Sequence, residues 1–163
     1  MNKIDYDGSG ELYISGIVAA REEPTSHLDS VITVCQDGVE DNISDEKDYA
    51  QFCMADGPHN SYGGDHSYET FREAADTLYE ALASGDSVLI HCHLGQSRSV
   101  SVAVAALGRL LDIPRHEAYD IVENYRPQAH PDKLLMGHAS TYIENHTDTE
   151  SLWSQYENED ETR

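Results

Sequence analysis

The sequence predicts an α/β protein in which helices cover a central, mostly parallel sheet. Three observations carry the prediction. Short β-branched and apolar runs fill the first half of the chain, and apolar residues at helical spacing fill the second half. One run, residues 87–91, passes through a glycine-bearing loop directly into a helix-like segment. With 163 residues the chain has the length of one domain, enough to bury about two thirds of its unfolded surface.

Taken in order, residues 1–10 are polar, carry Gly8 and Gly10, and read as a frayed or peripheral N-terminus. Residues 11–15 alternate as a short strand, and Gly16 turns the chain into a brief apolar piece, 17–20. Residues 31–35 are β-branched and apolar, a buried strand by composition. Residues 36–48 are rich in acids and read as a solvated loop, and 49–54 read as another strand. Residues 56–66 then hold Gly57, Gly63, Gly64, Pro58, His59 and His66 in a loop of unusual length, often a functional feature in a compact domain.

Ser67 is placed to cap a helix whose apolar face is Tyr68, Phe71, Ala75, Leu78, Tyr79 and Leu82, ended by Gly85. Residues 100–111 are apolar nearly all round and predict a helix at the centre of the fold. Asp112-Ile113-Pro114 breaks it and starts another, with Ala118, Tyr119, Ile121, Val122 and Tyr125 on its face. Pro131 opens a last helix after the loop 126–130. The expected division is a peripheral segment 1–10, a domain 11–146, and an acidic tail 147–163 tethered by Trp153 and Tyr156.

Charge is the compositional outlier. Thirty-one acids against ten Lys plus Arg give a net charge of −21, spread along the chain. Such a surface repels itself at low salt and is relieved by molar salt, as expected of a protein from a salt-rich cytoplasm. Nucleic acid is a poor partner, since no basic stripe offers to displace counterions. No apolar run approaches the ~20 residues of a membrane helix, and no signal peptide is evident, so a soluble, cytoplasmic protein is expected. Cys35, Cys53 and Cys92 form no disulfide framework or common zinc pattern. Cys35 and Cys53 read as small core residues.

Cys92 reads differently. His91-Cys92-His93-Leu94-Gly95-Gln96-Ser97-Arg98-Ser99 sits between a strand and a helix, where backbone N–H groups and the helix dipole converge. The amides of His93, Leu94, Gly95, Gln96, Ser97 and Arg98 can wrap a tetrahedral oxyanion, with Gly95 letting the chain turn. Arg98 offers a planar fork to two phosphate oxygens. Together these favour the thiolate, the reactive form of cysteine. His91 is expected to point away from the ligand and orient the loop, and Ser99 to donate to the sulfur. A metal held by His91 and His93 is disfavoured, because alternate strand residues face opposite ways.

The pattern H-C-x-x-G-x-x-R-S is the signature of cysteine-based protein phosphatases, and every fixed position is present. Leu12-Tyr13-Ile14-Ser15-Gly16, residues 31–35, Asp56, Phe71-Arg72-Glu73-Ala74-Ala75-Asp76, the Cys92 loop, Arg126 and Pro131 follow in the order of the dual-specificity branch. The chain resembles that family over residues 10–145, and its acidic composition resembles that of a haloarchaeal-type member. The resemblance implies the cysteine-phosphatase fold and a two-step reaction without metal or cofactor. Cys92 attacks phosphorus while Asp56 protonates the leaving oxygen, and water then hydrolyses phosphocysteine with Asp56 as base. It implies a phosphorylated protein as partner, carrying phosphotyrosine, with phosphoserine and phosphothreonine also within the branch's range. The residues between Cys92 and Arg98 include no lysine, which disfavours a phosphoinositide substrate.

Asp56 lies 36 positions before Cys92, more than usual, because of an insertion at residues 60–65. Asp65 is therefore a rival acid. Arg126 is either an anchor between helices or a second anion contact, with the anchor the safer reading. His59, beside Asp56, is a loop residue within reach of a substrate. Two other functions share the loop: a catalytically silent phospho-residue binder, and a sulfurtransferase-like enzyme, whose loops are usually shorter.

Overall fold

The computed structural model describes residues 1–57 and 63–147. Its sheet contains β1 (Asn2–Ile4), β2 (Glu11–Ser15), β3 (Ser30–Thr33), β4 (Asp48–Gln51) and β5 (Ser87–His91), in the spatial order β1-β2-β5-β3-β4. β1 pairs antiparallel with β2, and every other pair is parallel. The helices are α1 (Ile17–Glu22), α2 (Tyr68–Ala83), α3 (Arg98–Leu111), α4 (Arg115–Tyr125) and α5 (Lys133–Asn145). The α/β expectation and the mostly parallel sheet are therefore found.

This topology makes a site possible. Four parallel strands end at one edge, so the segments after β2, β3, β4 and β5 open side by side, with β5 between β2 and β3. Alternation along β5 sends Val88, Ile90 and Cys92 into the larger core with α2, α3, α4 and α5, and Leu89 into a smaller one around α1. α3 is buried from Ser99 through Gly108, as its all-round apolar sequence predicts. Gly108 lies so close to the Ile143 side chain that a Cβ would collide, which lets α3 and α5 pack tightly. Ser67 caps α2 by accepting from the Thr70 N–H, as expected.

Several boundaries differ from the sequence reading. Asn2–Ile4, expected to be frayed or peripheral, is an edge strand with Ile4 buried; three residues are too few to show a pattern, and pairing with β2 forms the strand. The strand expected over 49–54 runs Asp48–Gln51, and Met54 instead makes an isolated bridge to Asp65. That early end leaves Cys53 exposed, against the expected core position, whereas Cys35 is buried. The last helix opens at Lys133 with the Asp132 side chain accepting from the Leu134 N–H, two residues beyond Pro131. His59, Trp153 and Tyr156 lie outside the described residues.

Candidate active site

The loop after β5 is held one carbonyl after another, four by other segments and the last by the first turn of α3. His93 O accepts from the Ile17 N–H (2.9 Å), Gln96 O from His130 N–H (2.7 Å), and Ser97 O from Ser101 N–H (2.9 Å). Gly95 O accepts from Arg126 Nε (2.5 Å) and Leu94 O from Arg126 Nη2 (3.3 Å). Each trans peptide plane sets its N–H opposite its C=O. Turning the carbonyls of residues 93–97 outward therefore turns the amides of residues 94–98 inward. One of these, Gly95 N–H, lies 3.2 Å from Cys92 Sγ, and Ser99 Oγ lies 3.2 Å from the same sulfur. The buried thiol thus meets one loop amide and one hydroxyl, just before the 14-residue helix α3.

Gly95 is required where it stands. Its φ is +68°, in the left-handed region, and a Cβ would come within 2.6 Å of the Ser15 carbonyl and collide with Arg126 Nη2. Gly16 is required for approach: a Cβ there would lie 2.9 Å from His93 O.

His91 is fully buried, with both ring nitrogens engaged by protein atoms. Its Nδ1 lies 3.2 Å from Cys92 O and its Nε2 lies 2.7 Å from Thr33 Oγ1. A carbonyl only accepts, so Nδ1 carries the proton and Nε2 accepts from the Thr33 hydroxyl. Thr33 then accepts from Tyr49 Oη (2.7 Å), which accepts from the Val39 N–H (3.1 Å). The partners assign the tautomer, and burial lowers the ring's pKa, keeping the imidazole neutral. Thr33, Tyr49 and Val39 carry no local sequence signal; parallel pairing of Thr33 with His91 brings them in.

Arg126 is buried and spans the site's underside. Besides its bonds to the loop, Nη1 donates to Asn2 Oδ1 (2.6 Å) and Ile14 O (3.3 Å). All these acceptors are protein oxygens, which supports the anchor reading. Burial lowers its pKa, and the nearby Cys92 charge acts in the opposite direction.

Arg98 Nη1 donates to Gln36 Oε1 (3.0 Å) and to Met54 O (3.2 Å). The second bond draws in the segment carrying Asp56, which is exposed two residues further on. Gly57 follows with φ +99°, and a Cβ there would come within 2.7 Å of Asp132 Oδ1. Asp65 is placed differently. Its carboxylate accepts from Ser67 N–H (2.7 Å) and Thr70 Oγ1 (2.7 Å), and its backbone closes the neck of the loop through Ala55 N–H and Cys53 O. The Thr70 and Ser67 bonds hold its pKa below the usual carboxylate value. His93 and Leu94 are exposed at the rim, where His93 Nδ1 lies 3.7 Å from Asp37 Oδ2. Among the described residues there is no cluster of three or more His, Cys, Asp or Glu able to hold a metal.

A buried thiol in the β5–α3 loop, beneath amides turned inward and followed by an arginine at the start of α3, is an arrangement with the chemistry to hold an oxyanion. The family model for the dual specificity phosphatase catalytic domain matches residues 13–144, and the chain belongs to that family. It is 40% identical over 67 residues to human dual specificity protein phosphatase 9, a stretch covering 41% of this chain and 17% of that protein. It is 34% identical over 92 residues to dual specificity protein phosphatase 7 of Rattus norvegicus, covering 51% and 22%. The matches thus span about a fifth of the length of these curated relatives. The crystal structure of human DUSP28 superposes with a TM-score of 0.71 at 19% identity, over 95% of this chain and 99% of that one. That likeness is one of fold.

Proposed function

We propose that the chain is a protein phosphatase that hydrolyses phosphotyrosine, with phosphoserine and phosphothreonine as further substrates, through a phosphocysteine intermediate. The observation that carries the reading is the run of outward-held carbonyls at residues 93–97, which presents successive N–H groups over Cys92 Sγ. The phosphate oxygens meet these amides and the Arg98 fork while the sulfur attacks phosphorus in line. Asp56 gives its proton to the leaving oxygen and then takes one from the hydrolytic water. The Ser99 hydroxyl, 3.2 Å from the sulfur, stabilises the thiolate as it departs. His91 and Arg126 act by holding the loop. The intact Cys92, Arg98, Ser99 and Asp56 favour turnover over silent phospho-residue binding. The acidic coat supports a salt-rich cytoplasm as the setting.

Asp56 is preferred to Asp65 because Asp65's carboxylate is committed to the Ser67 N–H and the Thr70 hydroxyl at the start of α2, whereas Asp56 follows the segment that Arg98 holds through Met54 O. The test is hydrolysis of an aryl phosphate in molar potassium chloride without added metal, with inhibition by vanadate. Cys92→Ser is expected to abolish turnover, and a loss under about a hundredfold removes the nucleophile assignment. Asp56→Ala should slow a phosphoserine peptide more than an aryl ester with a good leaving group. That pattern in Asp65→Ala but not in Asp56→Ala reverses the assignment of the acid.

A further inference from the structure

Gln36, just beyond β3, lies between the arginine of the oxyanion site and the loop that follows Asp56. Its Oε1 accepts from Arg98 Nη1 at 3.0 Å, and its Nε2 donates to Gly63 O at 2.5 Å. The amide's orientation follows from its neighbours: guanidinium can only donate and a carbonyl can only accept. The Gln36 backbone is itself held, its carbonyl accepting from Gln51 Nε2 at 3.2 Å. Gly64 lies against the same amide, where a Cβ would collide with Gln36 Nε2 and approach Ala55 N to 2.9 Å.

We propose that Gln36 is a positioning residue that sets the Arg98 guanidinium for phosphate and ties it to the base of the loop carrying Asp56. A guanidinium has five N–H donors in a fixed plane. Two of them, both on Nη1, meet Gln36 Oε1 and Met54 O. The fork left to face phosphate is Nε–H with Nη2–H, the parallel pair that matches two oxygens of one anion. A neutral amide suits this position. It orients the arginine without placing a negative charge beside the phosphate site, and its second end reaches the loop, which a carboxylate could not do as a donor. The inference rests on the phosphatase reading for its activity arm, but its binding arm stands alone.

The test compares wild type and Gln36→Met in two measurements: kcat/KM with an aryl phosphate, and titration of the folded protein with tungstate, an oxyanion that is not turned over. Gln36→Met is expected to lower kcat/KM about tenfold and raise the tungstate Kd about fivefold. Titration reads only folded molecules, so a change in stability does not mimic the loss. In an Arg98→Lys background the same substitution should change kcat/KM by less than about twofold, because the residue it acts through is gone. Wild-type-like values for Gln36→Met in both measurements, or an undiminished effect in the Arg98→Lys background, overturn the proposal. A wild-type chain that binds tungstate without hydrolysing the ester overturns the phosphatase reading, and the titration then decides Gln36 by itself. A wild-type chain that binds no tungstate overturns both.

Discussion

In the proposed mechanism His91, next to the nucleophile, acts through the loop and not on the substrate. Its neutral ring links the Cys92 carbonyl to Thr33, Tyr49 and Val39, so the strand end bearing the thiol is fixed by atoms from three other segments. Burial lowers the ring's folded-state pKa, while the unfolded chain titrates near 6.5. Below that value the unfolded state takes up a proton that the native state refuses, so this group's contribution to stability falls as pH drops. Denaturant melts at pH 7.5 and 5.5 should show a larger loss for wild type than for His91→Asn. Equal losses would mean that the ring protonates in place. Motif reading expects His91 to orient the loop, but Thr33, the hydroxyl at its Nε2, is 58 positions away and invisible to that reading.

At the scale of elements, the clearest lesson comes from β1. Its polar sequence gave no reason to attach residues 1–10 to the site, yet Asn2 Oδ1 accepts from Arg126, the residue that also holds Leu94 O and Gly95 O. β1 thus supports the oxyanion loop through one buried guanidinium. Asn2→Ala should cost about 1.5–3 kcal/mol, the range for a hydrogen bond to a charged group. It should also lower kcat/KM, read by denaturant melts and by aryl phosphate hydrolysis. A stability loss with unchanged kcat/KM would confine Asn2 to holding the strand. α2 offers a second case: its start is secured by Ser67, as the sequence predicts, and also by Asp65, which the sequence reading held as a rival acid. A carboxylate just before a helix suits capping as well as catalysis, and the contacts of Asp65 are those of a cap.

At the scale of the whole molecule, the proposed reading sets a site for a dianion on a chain of net charge −21. Residues 73–97 contain no lysine or arginine. On the proposed reading, attraction for phosphate is local, from the loop amides and Arg98, while the long-range field opposes approach. The Debye length shrinks from about 30 Å at 0.01 M salt to about 3 Å at 1 M. The long-range repulsion is screened over that interval, but the short, partly buried contacts much less. KM for an aryl phosphate should therefore fall as potassium chloride rises from about 0.01 M towards 1 M. A rising KM would place the acidic field away from the pocket mouth.

The sequence by itself determined the α/β class, the central helix α3, and the cysteine-centred loop. It could do so because each depends on neighbours: periodicity within a helix, and a cradle made by consecutive amides closed by Gly95 and Arg98. Tertiary structure decided how that cradle is held. The bonds from Ile17, His130 and Arg126 to the loop carbonyls, the Gln36–Arg98 contact, the Arg126–Asn2 contact and the His91–Thr33 contact join residues 31 to 124 positions apart. No local pattern encodes such pairings. They follow from parallel strands ending at one edge, which brings segments distant in sequence within hydrogen-bonding distance of one loop.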